Sequence, residues 1–277
     1  MARFYISYVS DCVKDAMDLW VIIPQKKHVR DLQSPEIAFG SFQQEYPLLL
    51  LLHDEASSPW ELLSMTRVER FAEEAGVMVA APQGLLSWYT DYAQRDSSHN
   101  EAHSKGAGHI ENNFTEMCYE SYLLEALDVL HRTFPVISAS REKNFVGGIG
   151  MGGFGALKLA MKHPERFSAV VTLDGEVDLQ LKMDREPWRK EQFEAIFGGC
   201  KAEGENDLPG RWAAMEGAGT APRLLQIWAE DGLRGEMNRN LAQVVGGNCR
   251  GYVGQALEGA WDWDRTDQAL RQAFAWL

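Results

Sequence analysis

The chain has 277 residues, 45% of them hydrophobic, which suits one large α/β domain over residues 1–277 better than two small ones. A formal net charge of −13 argues against a nucleic-acid surface or an anionic-membrane binder, and we read it as solubility. Four scattered cysteines (Cys12, Cys118, Cys200, Cys249) form no C-x-x-C pair, so neither a zinc knuckle nor a disulfide scaffold is suggested.

Met1 to Ser7 lacks a long apolar core and a small-residue cleavage site, so it reads as a first strand and a reducing cytoplasm is the expected location. Arg3 to Val9 and Asp18 to Pro24 read as a hairpin that opens the sheet. Tyr46 to His53 is a continuous apolar strand of the kind buried on both faces; its run Leu48 to Leu52 is far too short to span a bilayer. Trp60 to Glu74 has helical spacing, and Val77 to Pro82 is the next buried strand. A polar, aperiodic stretch follows, with a His-rich loop insertion over about 95–113, and then Phe114 to Phe134 as a long amphipathic helix. After a central strand and helix, Phe167 to Asp174 is a strand and residues 175–219 are expected to form an irregular cap. Arg223 to Ala229 (strand), Arg234 to Val245 (helix), Gly251 to Leu257 (strand) and Thr266 to Leu277 (helix) close the chain. This alternation predicts a mainly parallel, doubly wound sheet.

The chemistry centres on Val146-Gly147-Gly148-Ile149-Gly150-Met151-Gly152-Gly153, where a β-prone run meets glycines and a helix former, Ala156 to Lys162, follows. Strand, tight glycine turn and helix is the build of a nucleophile elbow, G-x-S-x-G, whose serine stands on a strained turn above the sheet. The frame Gly148-x-x-x-Gly152 is intact, but its centre is Gly150. Gly148-x-Gly150-x-x-Gly153 also fits a dinucleotide fingerprint, but it comes after half of the chain, and the acid near the expected distance, Asp174, runs into Gly175 and a polar stretch.

Nearly end to end, short matches in order carry a likeness to known enzymes. They are Leu51-Leu52-His53, Trp60, Thr66-x-Val68-Glu69-Arg70, Tyr89-Thr90-Asp91, Met151-Gly152-Gly153-Phe154-Gly155, His163-Pro164-x-Arg166-Phe167, Phe193-Glu194-x-Ile196-Phe197-Gly198, Glu230-Asp231 and Trp263. On these residues the chain resembles the α/β-hydrolase esterases of the tributyrin esterase, S-formylglutathione hydrolase (esterase D) and feruloyl esterase group. The resemblance implies an α/β-hydrolase fold and acyl transfer to water by Ser, Asp and His in that chain order. It assigns the nucleophile position to Gly150, the triad acid to Asp231 and the triad histidine position to Trp261. Glycine has no side chain to acylate, and an indole N–H only donates, so a standard Ser-His-Asp mechanism is not open to this chain. The oxyanion-hole backbone maps to Asp54, Glu55 and Met151, where two carboxylates pointing inward would oppose a developing negative charge.

Two readings follow. In the first, the chain is a non-hydrolytic pseudoenzyme: a binding or partner protein, with a homo-oligomer expected, for a small ester, acyl or carbohydrate-linked ligand. No cofactor is expected in that reading. In the second, it is an ester hydrolase or acyltransferase with relocated machinery. His99, His103 and His109 in the His-rich loop, with Glu101 and Glu111, would then hold a divalent metal or supply a base; the bland alternative for that loop is a solvated polar segment. Of the tryptophans, Trp261 is expected to fill the volume above Gly150, and most of the others to pack as core. His53 is expected to be structural, His163 to end the central helix, and Cys200 to lack a base.

Overall fold

A computed structural model describes residues 1–25, 45–94, 116–218, 220–246 and 251–277. Its strands are β1 (Ala2–Val9), β2 (Ala16–Ile23), β3 (Leu48–Leu52), β4 (Met78–Pro82), β5 (Asn144–Ile149), β6 (Ala169–Leu173), β7 (Arg223–Ala229) and β8 (Tyr252–Leu257). They form one eight-stranded sheet in the order β1-β2-β4-β3-β5-β6-β7-β8. The first two strands pair antiparallel as a hairpin, β2 pairs antiparallel with β4, and every pairing from β4 onward is parallel. This is an α/β-hydrolase fold, with helices on both faces of a mainly parallel sheet.

The five leucines of β3 are all buried, and they divide by parity. Leu48, Leu50 and Leu52 join the larger core cluster, while Leu49 and Leu51 join the smaller one across the sheet. A strand whose side chains alternate between two dry faces must be apolar throughout, which is what the sequence supplies. Each buried leucine contributes roughly 1.5–3 kcal/mol of transfer free energy.

The helices are α1 (Pro59–Met65), α2 (Val68–Ala75), α3 (Tyr119–Thr133), α4 (Met151–Lys162), α5 (Leu179–Arg185), α6 (Lys190–Phe197), α7 (Leu208–Ala218), α8 (Gly232–Val245) and α9 (Trp263–Trp276). The helix expected over Trp60 to Glu74 is two, because Thr66 is extended between α1 and α2. Its hydroxyl donates to the Leu62 carbonyl at 2.7 Å and accepts from the Val68 N–H at 3.4 Å, local bonds that compete with the helix ladder. Of the helix expected over Phe114 to Phe134, residues 114 and 115 lie outside the described residues and α3 begins at Tyr119, since Cys118 bridges to Asp91 and the Asp91 carboxylate takes the Ser121 N–H at 2.9 Å. The segment expected to be irregular over 175–219 holds α5, α6 and α7, so the cap is largely helical. Its short, tryptophan-bearing helices gave too weak a periodicity to be seen; they are anchored by Trp212 and Phe193, both buried. No helix among the described residues is long and apolar enough to cross a membrane.

Candidate functional site

Every chain segment that matters here leaves the carboxyl end of a parallel strand, where open α/β sheets place their ligands. Asp54 and Glu55 follow β3, Gly150 follows β5, Asp174 and Glu176 follow β6, and Arg234 lies in the first turn of α8 after β7. Gly150 has φ 53° and ψ −117°, a conformation that favours glycine. The turn is held by the Gly150 N–H on the Leu173 carbonyl (3.1 Å) and by the Glu176 and Gly153 N–H groups on the Gly150 carbonyl (both 3.0 Å). Gly152 is required for a different reason: a Cβ there would run into the Leu52 carbonyl. The elbow geometry therefore exists in full around a residue with no side chain.

The space above Gly150 is filled by Asp54. A Cβ built on Gly150 would fall inside the Asp54 carboxylate. That carboxylate accepts the Met151 N–H at 3.0 Å and the Glu55 N–H at 2.7 Å through the same oxygen, Oδ1. Two of the three backbone positions that the resemblance assigned to an oxyanion hole, Glu55 and Met151, thus point their N–H groups at the chain's own anion. Trp261, expected to fill this volume, does not: it is half-buried between β8 and α9 against the smaller core cluster, and its buried indole N–H has no hydrogen-bond partner among the described residues. Asp231 is exposed at the start of α8, and its side chain makes no hydrogen bond or ion pair among the described residues.

Asp54 is one member of a charge network. Arg234 meets it with two bonds, Nη1 to Oδ2 at 2.7 Å and Nη2 to Oδ1 at 3.0 Å, and also binds Glu176 Oε1 at 3.0 Å. Asp174 stands 3.7 Å from Arg234 and accepts the Ala229 N–H at 3.2 Å. Lys182 on α5 donates to Glu176 at 2.6 Å, and Arg189 donates to Glu55 at 2.6 Å. Glu186 lies 3.4 Å from Lys182 and 3.1 Å from Arg189. Five carboxylates therefore share three cations.

Burial and this excess of acid set the titration. Asp174 is pushed up to about 6 by burial, against the opposing pull of Arg234. Glu176, whose side chain is 1% exposed, is raised by burial as well, and its Oε2 has no hydrogen-bond partner among the described residues. For Arg234, burial favours the neutral form, but Glu176, Asp54 and Asp174 outweigh it and the pKa rises.

Of the other residues singled out from sequence, His53 is structural: its Nε2 takes the Gly84 N–H at 2.9 Å, and burial lowers its pKa. His163 caps the end of α4. Trp88 and Trp212 are core, whereas Trp60 and Trp188 are exposed. His99, His103 and His109, with most of the His-rich loop, lie outside the described residues. Among the described residues no group of three or more His, Cys, Asp or Glu is placed to hold a metal ion. Sequence reasoning missed Arg234, Glu176, Lys182 and Arg189. Two acids at a strand end call for cations, and a search for Lys and Arg after the neighbouring strands would have found Arg234.

The family model described as "Putative esterase" matches residues 35–250. The chain belongs to this esterase family. A curated relative, an acetyl esterase of Caldicellulosiruptor saccharolyticus, is 23% identical over all of this chain and 98% of its own length. Among solved structures, the fluorophosphonate-binding serine hydrolase FphF of Staphylococcus aureus superposes with a TM-score of 0.77 at 24% identity, covering 99% of this chain and 97% of its own. The S-formylglutathione hydrolase FrmB of the same organism gives 0.71 at 23% identity, covering 100% and 99%. These likenesses support the group read from the sequence: the family model and the relative give the esterase family, and the solved structures share its fold.

Proposed function

We propose that this member of the esterase family is non-hydrolytic, a binding or partner protein built on an esterase scaffold. One observation carries the reading: the Asp54 carboxylate occupies the place of a side chain on Gly150 and takes the Met151 N–H. An acyl-transfer site must leave those donors free for the oxyanion that forms in the transition state. A resident carboxylate there repels developing negative charge and excludes the substrate carbonyl. Gly150 supports the same reading by offering no nucleophile, and Trp261 by offering no proton acceptor.

The test is turnover of p-nitrophenyl acetate and butyrate by purified protein, with and without chelator. The expected result is hydrolysis no faster than in buffer. Chelator-sensitive turnover that His103→Ala abolishes would overturn the reading in favour of relocated machinery. As a complement, the triple change Asp54→Gly, Gly150→Ser and Trp261→His should bring esterase activity back on this scaffold.

A further inference from the structure

Asp54 is held the way a bound ligand is held. Its oxygens meet the two terminal nitrogens of Arg234 side by side, Oδ2 with Nη1 at 2.7 Å and Oδ1 with Nη2 at 3.0 Å, the paired geometry by which a guanidinium recognises a carboxylate. Oδ1 also accepts the Met151 N–H at 3.0 Å and the Glu55 N–H at 2.7 Å. Met151 opens α4, so that its amide carries the positive end of a helix dipole. Gly150 completes the arrangement by absence, because a Cβ there would overlap the carboxylate.

Only the tether ties this place to Asp54. The aspartate side chain has the heavy atoms of acetate, and here it is carried on the connection from β3 to α1, where residues 54–58 each reach solvent in part. Arg234 and Met151 belong to other segments and would stay behind if that connection turned outward.

We propose that the space above Gly150 is a receptor for a short monocarboxylate, with Asp54 as a tethered competitor that turns out on residues 54–58 to admit a free ligand. The inference deepens the non-hydrolytic reading and rests on it, since a hydrolase would keep the Met151 N–H for its oxyanion. The surroundings select the charge. Asp174 and Glu176 remain beside Arg234, so an entering group can bring no more negative charge than Asp54 takes away. A monocarboxylate meets that condition and a phosphate dianion does not. A neutral ester fails in the other direction, because it leaves the guanidinium fork without an anion.

Asp54→Gly removes the competitor and keeps the Arg234, Met151 and Glu55 donors. Line broadening of isotope-labelled acetate in NMR titrations at constant ionic strength compares it with the unaltered protein. The variant should bind acetate at least about tenfold more tightly, because a tethered group competes at an effective concentration in the millimolar range. Acetate, but neither chloride nor methyl acetate, should also raise the variant's melting temperature, and adding Arg234→Ala should abolish both effects. Should Asp54→Gly not fold by circular dichroism, Asp54→Asn takes its place, keeping the shape and giving up the charge that competes. Equal affinity in both proteins, acetate bound by neither, or chloride or methyl acetate acting as well as acetate would each overturn the proposal. Turnover of p-nitrophenyl acetate by the unaltered protein would sink the non-hydrolytic reading without altering the acetate result, so the two failures are told apart.

Discussion

Asp54 and Arg234, 180 residues apart in sequence, face each other through two hydrogen bonds at 2.7 and 3.0 Å directly above Gly150. The pair joins the end of β3 to the start of α8, across the carboxyl ends of the sheet's central strands. Arg234 is also the cation that Asp174 and Glu176 share.

Arg234→Ala leaves three carboxylates without their common partner. Removing one side of a buried ion pair typically costs about 3–5 kcal/mol, and the partial exposure of Arg234 puts the expected loss at the lower end. Urea unfolding at neutral pH measures it. A loss below about 1 kcal/mol would place the pair among surface bridges of little consequence.

Gly150→Ala should be costly for two reasons. It places a non-glycine residue at φ 53°, worth about 1–3 kcal/mol of strain, and drives its methyl into the Asp54 carboxylate. Asp54→Gly clears that space, so the double variant should be more stable than the sum of the singles predicts, by roughly 0.5–3 kcal/mol. Strict additivity would mean that Asp54 swings aside freely.

The pH dependence has an unusual sign. Asp174 in the folded chain holds its proton up to about pH 6, whereas the unfolded chain releases it near the ordinary aspartate value of 3.8. Between those limits the folded state binds more protons, so this group's contribution to stability falls as pH rises through the window, by on the order of 2–3 kcal/mol. Asp174→Asn keeps an acceptor for the Ala229 N–H and tolerates the residue's φ of 47°. Thermal denaturation of the two proteins between pH 4 and about 6 should show the slope in one and its loss in the other.

A second cluster titrates the other way. Lys158 on α4 is completely buried and meets Glu120 of α3 at 3.2 Å and Glu205 of the cap at 3.0 Å. Burial raises Glu205, but Lys162 and Lys158 more than reverse this and hold it down at about 2. Its contribution is present in full above its ordinary value of 4.5 and fades as pH falls toward 2. Lys158→Ala leaves Glu120 and Glu205 to Lys162 alone, so its cost should fall at the lower end of the roughly 3–5 kcal/mol typical of a broken buried pair, whereas Lys158→Met with both glutamates changed to Gln should recover much of the loss. Calorimetric melts of the two variants decide between these outcomes.

The central fold was legible because β3, β4 and β5 are short runs of apolar residues between turns, which is what strands buried on both faces look like. The elbow was legible because the spacing of Gly148, Gly150 and Gly152 reflects local backbone demands. The cap helices escaped because their burial is set by tertiary contacts, as where Phe193 and Phe197 pack on Trp88, and not by a strong period of their own. The Asp54–Arg234 pair escaped for a related reason. Sequence places two acids at the oxyanion loop, but whether they turn inward depends on a guanidinium supplied by a helix far along the chain.

Lys182 and Arg189, which answer Glu176 and Glu55, both come from the segment between β6 and β7. Swinging that segment away, as a lid would, strips two cations from carboxylates already short of them, at several kcal/mol for each uncovered ion. The roof over Gly150 is accordingly a fixed part of the building, and it should melt together with the sheet beneath it.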